Sequence, residues 1–193
     1  VLILLLFFVG HHSLMAQKYP FRAYSIENGL SESVVNAVVQ DSEGFIWLAT
    51  GYGLNKFNGY AFSNYYQDSG LNDNKVYALY RDSGDRIWIG TGRGINYIKE
   101  DSIYVDPRFE ALSAQVINTL FEDSNGDLWI GTDGAGVWTM TSEGRLIQYN
   151  SSNGLAGDRV RAITEDANNV LWIATRNGLS SLNNGDFRTY RKE

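Results

Sequence analysis

Short segments in which apolar and polar residues alternate, separated by turns rich in glycine, asparagine and aspartate, recur along most of this chain. The first four such segments are Val34 to Gln40, Phe45 to Thr50, Leu54 to Phe57 and Tyr60 to Tyr66. Alternation with a period of two residues predicts β-strands, and helical periodicity appears nowhere. Asn58-Gly59 separates the last two segments and favours a tight two-residue hairpin turn. The pattern therefore predicts an all-β unit of four short strands.

This unit is repeated four times. Each copy contains a segment in which an aspartate precedes a tryptophan by six residues and a threonine follows three residues later. The segments are DSEGFIWLAT, DSGDRIWIGT, DSNGDLWIGT and DANNVLWIAT, starting at Asp41, Asp82, Asp123 and Asp166, with tryptophans at Trp47, Trp88, Trp129 and Trp172. Repeated four-stranded units of about forty residues are the blades of a β-propeller. We predict four blades of about 41 residues, at approximately 30–69, 70–110, 111–152 and 153–193.

The positions shared by all four copies have structural explanations. The aspartates open turns, where a carboxylate accepts backbone N–H groups. The tryptophans are expected to pack between adjacent blades, and each indole N–H then needs a hydrogen-bond partner. We expect a small residue where blades crowd together and a glycine where the backbone adopts conformations that other residues resist. The small residues are Ala49, Gly90, Gly131 and Ala174, and the glycines are Gly53, Gly94, Gly136 and Gly178.

The N-terminal part of the repeat region contains an additional strand-like segment. Phe21-Arg22-Ala23-Tyr24 precedes Asn28-Gly29-Leu30 just as the predicted fourth strands precede Gly70-Leu71 and Asn153-Gly154-Leu155. We predict an orphan outer strand at residues 21–26. Because no incomplete blade in this chain needs that strand, we predict that residues 17–193 are the front part of a longer propeller. Such a part presents unpaired strand edges.

Residues 1–16 have the character of a signal peptide. Leu2 to Val9 is an apolar run too short to span a bilayer as an ordinary helix, and small and polar residues follow it up to Ala16. The alternative, a buried strand or helix of the fold, fits less well because the run precedes the repeats and matches none of them. No initiator Met and no basic region precede Val1, so we expect the sequence to begin inside its signal peptide.

The composition argues against several classes of function. The 193 residues include no Cys and only two His, His11 and His12, which lie in the predicted signal peptide. The net charge of −6 disfavours nucleic acid as a partner, because phosphate backbones repel an acidic surface. Asp123 to Asp127 superficially matches a calcium-binding loop but lacks its closing Glu. We predict no metal site, no cofactor and no catalytic residue in this chain.

The repeat resembles that of the two-component regulator propeller family. The shared pattern is Leu…Val-x-x-(apolar)-x-x-Asp-x-x-Gly-x-(Ile/Leu)-Trp-(Ile/Leu)-(Gly/Ala)-Thr-x-x-Gly-(Leu/Ile), and the matching ranges are Leu30 to Phe57, Leu71 to Ile98, Leu112 to Met140 and Leu155 to Leu182. The departures are small. Gly84 lies one place early, Ala135 lengthens the third loop, and Asn169 replaces a glycine.

This resemblance implies a function. Such repeats are typical of the N-terminal periplasmic sensors of hybrid two-component histidine kinases in Bacteroidetes, where a seven-bladed propeller precedes further domains and a membrane helix. We therefore expect a periplasmic sensor fragment whose parent is anchored in the inner membrane and signals through a kinase. The expected partners are an oligosaccharide ligand, the remaining blades, the downstream receptor domains and a second copy of the parent.

Two other readings stay open. The first is a secreted propeller that serves only as an interaction scaffold. The second is a sialidase-like glycosidase, because Asp-x-x-Gly-x-x-Trp also resembles the Asp-box of those enzymes. That box carries Ser or Thr two residues before its Asp, and the residues found there are Val39, Tyr80, Phe121 and Thr164, of which only the last fits. Nothing in the linear sequence marks the carboxylate pair that a glycosidase needs.

Candidate ligand-binding residues lie in the Thr-x-x-Gly loops, which strand order places at the same end of the blades as the blade-to-blade connections. Loops on a rigid scaffold are where recognition usually resides. The loop residues that differ between copies are Tyr52, Arg93, Asp133 and Arg176. Trp138 is a fifth candidate. It replaces a polar residue of the other copies, Asn55, Asn96 and Ser180, and is therefore expected to point away from the core of its blade. An exposed indole there can stack on a sugar ring or contact another domain, and the alternative is partial burial under a neighbouring loop.

Overall fold

The computed structural model describes residues 21–191, which contain sixteen strands in four antiparallel sheets. The first sheet consists of β1 (Val35–Gln40), β2 (Ile46–Thr50), β3 (Gly53–Phe57) and β4 (Phe62–Tyr65). The second consists of β5 (Val76–Arg81), β6 (Ile87–Thr91), β7 (Gly94–Lys99) and β8 (Ser102–Tyr104). The third consists of β9 (Ile117–Glu122), β10 (Leu128–Thr132), β11 (Val137–Met140) and β12 (Leu146–Tyr149). The fourth consists of β13 (Val160–Glu165), β14 (Leu171–Thr175), β15 (Gly178–Asn183) and β16 (Asp186–Tyr190).

Each sheet is a meander in which strands that are neighbours in sequence pair side by side. The first strands of successive sheets contact one another, β1 with β5, β5 with β9 and β9 with β13. The sheets are therefore propeller blades with their first strands innermost, which confirms the predicted fold class. Short 3₁₀ helices precede the four blades, at Ile26–Asn28, Gln67–Ser69, Pro107–Leu112 and Ser151–Asn153.

The turn at Asn58-Gly59 differs from its prediction. Phe57 pairs with Phe62, so four residues separate the strands rather than two. The Asn58 side chain causes this, because its Oδ1 accepts the backbone N–H groups of Tyr60 and Ala61, both at 2.9 Å. An Asn that binds backbone two or three residues ahead stabilises a wider turn. Two-residue turns occur instead at Glu100-Asp101 and Asn184-Gly185.

The repeated aspartate binds the repeated tryptophan of the same blade. In the third blade, Asp123 Oδ1 accepts the N–H of Asp127 at 3.0 Å and Oδ2 accepts the indole N–H of Trp129 at 2.8 Å. The corresponding indole bonds in the other blades measure 2.8, 2.8 and 2.9 Å, for the pairs Trp47–Asp41, Trp88–Asp82 and Trp172–Asp166. One carboxylate therefore closes the turn and fixes the indole.

These bonds favour the charged form of the carboxylate. The indole of Trp172 and the backbone N–H groups of Val170 and Asn168 hold the pKa of Asp166 below its ordinary value. A folded-state pKa below the unfolded-state value means that this contribution to stability is present at neutral pH. It is lost as the pH falls through the folded-state pKa.

Each of the first three tryptophans packs against the following blade, as predicted. Trp129 shares a buried cluster with Val160, Ile163, Leu171 and Ile173 of the fourth blade. Trp47 and Trp88 lie in equivalent clusters with residues of the second and third blades. Trp172 is only half-buried, because no blade follows the fourth within the described residues. The aspartate-held indole thus packs into the apolar joint between neighbouring blades.

The small residue at the shared position is required by the same packing. A Cβ on Gly131 would lie 2.5 Å from Thr119 Cγ2 and 2.6 Å from Val160 Cγ1. A Cβ on Gly90 would lie 2.8 Å from Ile117 Cγ2. Val160 and Ile117 both belong to the innermost strand of the following blade. The predicted crowding between blades is confirmed at these two positions.

The segment predicted to be an orphan outer strand, residues 21–26, pairs with no described strand. Residues 21–25 have no regular secondary structure, and Ile26 begins a 3₁₀ helix. The Tyr24 ring packs on Phe57 and Phe62, with ring centroids 4.8 and 6.0 Å apart. An extended segment becomes a strand only when another strand supplies hydrogen bonds to it, and no described strand lies alongside this one. The predicted signal peptide, residues 1–16, falls outside the described residues.

The crowding at Gly131 leads to a prediction. Gly131→Ala should lower the free energy of unfolding by about 1–3 kcal/mol, because its methyl group overlaps Thr119 and Val160. Urea denaturation of the full chain measures this. Gly84→Ala is the matched control, since a Cβ there has its nearest neighbour, Asp82 Oδ1, at 3.4 Å. Equal stability of the two variants would contradict the proposed crowding.

Candidate functional site

The Thr-x-x-Gly loops are closed by a repeated hydrogen-bond pattern. In the first blade, Thr50 Oγ1 donates to the carbonyl of Gly53 at 2.8 Å and accepts the N–H of Tyr52 at 3.1 Å. The same hydroxyl bond to the glycine carbonyl recurs in the other three blades, from Thr91, Thr132 and Thr175. The glycines have positive φ, 118° at Gly53, which side-chain-bearing residues resist. The loops are therefore fixed in shape whatever residues occupy their variable positions.

The glycine N–H groups tie these loops to the connections between blades. Gly53 donates to the carbonyl of Asn74 at 2.7 Å, and Gly94 donates to that of Gln115 at 2.8 Å. Gly136 donates to Asp158 at 2.9 Å. The loops and connections therefore form one continuous surface, which we call the loop face. It comprises residues 50–53, 91–94, 132–136 and 175–178 together with the connections that follow each outer strand.

Recesses lie on the loop face of the first, second and fourth blades. Each lies between the residue before the loop glycine, the residue that directly follows the outer strand, and a connection. That connection leaves the blade in the first case and enters it in the fourth, and the second recess is lined by both. In the first blade these two positions are Tyr52 and Tyr66, and the recess has a volume of about 420 Å³. In the second blade they are Arg93 and Val105, with about 210 Å³. In the fourth blade they are Asn177 and Arg191, with about 370 Å³.

The recesses differ in chemistry although each is built on the same two positions, the residue before the loop glycine and the residue after the outer strand. The remaining lining residues of the first are Gln67, Asp68 and Asn74. Those of the second are Asn72, Ile95, Asp106, Phe109, Glu110 and Ser113. Those of the fourth are Ser151, Ala156, Gly157 and Asp158. A fixed frame with changing side chains is the arrangement expected of a recognition surface.

The five predicted ligand-binding residues do not form a single site. Tyr52 and Arg93 are exposed and line separate recesses. Asp133 is half-buried, and its Oδ1 accepts Nδ2 of Asn118 at 3.4 Å. Arg176 is exposed, and its backbone N–H donates to the carbonyl of Arg159 at 2.9 Å. No recess described here contains more than one of the five. Sequence reasoning missed Tyr66 because it assigned that residue to the fourth strand, which in the structure ends at Tyr65.

Of the two alternatives for Trp138, the structure shows partial burial. The equivalent polar residues, Asn55, Asn96 and Ser180, are 0% exposed. Each accepts the N–H of the connection that enters its blade: Asn55 from Ser31 at 2.8 Å, Asn96 from Asn72 at 2.9 Å, and Ser180 from Ala156 at 2.8 Å. Polarity at this position therefore indicates a buried cap rather than a solvent-facing side chain.

Trp138 does not cap a backbone N–H as those polar residues do, and it packs against apolar side chains instead. Its ring is half-buried against the cluster between the second and third blades, which includes Phe109 and Leu112 of the preceding 3₁₀ helix. Its Nε1 is buried and has no hydrogen-bond partner among the described residues. The indole therefore packs against the 3₁₀ helix of the connection that enters its blade.

A further recess of about 360 Å³ lies at the opposite end of the first two blades, where Asp41, Asp85 and Arg86 are among its lining residues. Close to it, the Lys56 ammonium lies 2.5 Å from Asp101 and 3.8 Å from the centre of the Phe45 ring. Burial first, and the charge of Asp101 second, raise the pKa of Tyr65. Because Asp41 and Trp47 line this recess, it belongs to the blade joint rather than to the variable surface.

The described residues contain no group of His, Cys, Asp and Glu that could hold a metal ion. Within residues 21–191, no helix is long and apolar enough to cross a membrane.

Comparisons with known proteins agree with this geometry. The profile of the family described as "Two component regulator propeller" matches residues 29–52, 70–93, 111–134 and 154–177, one match per blade. No curated protein sequence gave a significant match. The fold and the repeats define the chain as a β-propeller protein. It belongs to the two-component regulator propeller family.

Similar solved structures include extracellular domains of bacterial regulators. One is that of BT3049 from B. thetaiotaomicron, assigned as a hybrid two-component system, with 27% identity and a TM-score of 0.75 over 86% of this chain and 23% of that one. A second, BT4673, has 22% identity and a TM-score of 0.70 over 80% of this chain and 24% of that one. Virginiamycin B lyase from Staphylococcus aureus shares the fold, with 15% identity and a TM-score of 0.65 over 84% of this chain and 57% of that one. This chain spans about a quarter of the length of the two extracellular domains.

The burial of Trp138 leads to a prediction. Trp138→Ala should lower the free energy of unfolding by roughly 3 kcal/mol, because it empties the space beneath the connection. Trp138→Phe keeps most of the volume and removes the unpartnered N–H, so it should change stability by less than about 1.5 kcal/mol. Thermal and urea unfolding of the full chain compare the two variants. An unchanged free energy of unfolding in the alanine variant would contradict the burial of Trp138.

Proposed function

We propose that this chain is the ligand-sensing, extracytoplasmic part of a two-component regulator. The observation that carries this proposal is the loop face, in which the loops share one closing hydrogen-bond pattern and recesses with different side chains lie on the first, second and fourth blades. The similarity to the BT3049 extracellular domain supports it, because that domain belongs to a protein assigned as a hybrid two-component system. The apolar run at Leu2 to Val9 supports export.

The proposed ligand is an oligosaccharide or a related extracellular cue, and the parent protein is anchored in the inner membrane and carries a histidine kinase. A propeller recess can transmit a signal only if the ligand binds one arrangement of the receptor more tightly than another. In this proposal, ligand bound on the loop face changes the arrangement of the domains behind the propeller. The chain itself contributes recognition, and the kinase chemistry lies elsewhere in the parent.

An enzymatic role is the second candidate, because virginiamycin B lyase shares the fold. At 15% identity that likeness concerns architecture alone. Catalysis in a propeller depends on side chains and not on the fold, and both histidines of this chain, His11 and His12, lie in the predicted signal peptide. A secreted interaction scaffold is the third candidate, and it differs from the sensor in having no membrane-spanning segment.

The continuation of the gene distinguishes these candidates. We expect the reading frame beyond codon 193 to encode further repeats with an aspartate six residues before a tryptophan, then a membrane helix and a kinase module. Sequencing the gene to its stop codon tests this. A frame that ends shortly after the fourth blade without a membrane segment would contradict the sensor proposal and favour the secreted scaffold.

A further inference from the structure

The recess of the first blade differs from the other two in having aromatic walls and no cationic side chain. Tyr52 and Tyr66 form its walls, and Gln67, Asp68 and Asn74 complete its lining. The recesses of the second and fourth blades contain Arg93 and Arg191, respectively. The first recess is therefore the only one of the three that offers ring faces without a positive charge.

The two tyrosine rings form an exposed, inclined pair. Their centroids are 5.7 Å apart and the ring planes are inclined by 56°. The Tyr52 side chain is 59% exposed, and Tyr66 is half-buried. Tyr66 rests on Gly53, where an added Cβ would lie 2.9 Å from its Cε1. Since Gly53 belongs to a loop closed by Thr50, the inner ring is held in place and the outer ring remains accessible.

Polar groups surround this aromatic pair. Asn74 Oδ1 accepts the backbone N–H of Gln67 at 2.8 Å, which fixes the amide, and its Nδ2 has no partner among residues 21–191. Gln67 Nε2 donates to the carbonyl of Asn72 at 3.2 Å, which leaves its Oε1 as an acceptor. The Asp68 carboxylate is exposed beside them and accepts only the Ser69 hydroxyl in the described part of the chain, at 3.1 Å.

We propose that the Tyr52–Tyr66 recess is a subsite for one uncharged sugar ring of an oligosaccharide. The C–H face of a pyranose would pack on the exposed Tyr52 ring, and its hydroxyls would pair with Asn74 Nδ2, Gln67 Oε1 and the Asp68 carboxylate. Aromatic walls with a few placed polar groups are the usual composition of small-molecule sites. This inference rests on the proposed function, since it locates and specifies the ligand of the same loop face.

Charge decides which class of sugar fits. Asp68 is the one charged residue that lines the recess, and it would repel a uronate or sulfate group placed beside it. The fourth recess pairs Arg191 with Asp158, and the second places Arg93 beside Asp106 and Glu110, so only these two offer an arginine to an anionic sugar. The first recess therefore selects an uncharged ring.

Calorimetric titration of the full chain tests this subsite. The probes are uncharged hexasaccharides, namely cellohexaose, maltohexaose, xylohexaose and mannohexaose, and two anionic ones, a heparin-derived hexasaccharide and hexagalacturonate. We expect at least one uncharged probe to bind, and Tyr52→Ala to weaken it at least about tenfold, or 1.4 kcal/mol. Tyr52→Phe keeps the ring and should stay within about threefold of the wild type, because ring stacking and not the hydroxyl supplies the contact.

Tyr60→Ala is the matched control, because Tyr60 is 91% exposed on the β3–β4 turn at the opposite end of the blade. Its affinity should equal that of the wild type, and unfolding temperatures of all variants verify folding. If an uncharged probe binds and Tyr52→Ala leaves its affinity unchanged, the subsite is wrong and the sensor proposal stands. If only the anionic probes bind, the subsite is likewise wrong and the sensor proposal stands. Binding of no saccharide would overturn both the subsite and the glycan part of the proposed function.

Discussion

The hydrogen bond between the repeated aspartate and the indole of the same blade is the interaction on which the rest of this structure depends. A single carboxylate performs two tasks. Oδ1 closes the turn between the first two strands, and Oδ2 holds the indole that the next blade packs against. An unheld indole in this place would bury an unpaired N–H, which costs about 1–3 kcal/mol. The bond therefore links the local geometry of each turn to the joint between blades.

This arrangement explains why the loop face is free to vary. Blades of a repeat protein are stabilised mainly by their immediate neighbours, and here the indole and the small residue opposite the next inner strand supply that contact. The loops are closed separately, by a threonine hydroxyl and a glycine with positive φ. Residues such as Tyr52 and Arg93 contribute only their backbone N–H groups to this closure, and their side chains take part in neither device. Their identity can change from blade to blade without cost to the scaffold, and the recesses acquire different chemistry.

The sequence predicted the scaffold because its determinants are local and repeated. The spacing of Asp123 and Trp129 places both at one turn, and four copies establish the blade. The interaction partner of the indole was not predictable, since the pattern shows that a partner is needed without showing which one. The sequence left the burial of Trp138 open because polarity at Asn55 and Asn96 suggested solvent, whereas those side chains bind backbone of a connection distant in sequence. Tyr66 was missed because only the folded chain places it beside Tyr52.

Amide hydrogen exchange of the full chain carrying Asp82→Ala tests the central claim most directly. The account predicts lost protection in the Asp82–Arg86 turn and in β9 of the third blade, because Trp88 is released from the cluster that it shares with Ile117 and Leu128. Protection in β14 and β15 of the fourth blade should remain as in the wild type. Unchanged protection at β9, or an equal loss across all four blades, would contradict the claim that the aspartate-held indole joins each blade to the next.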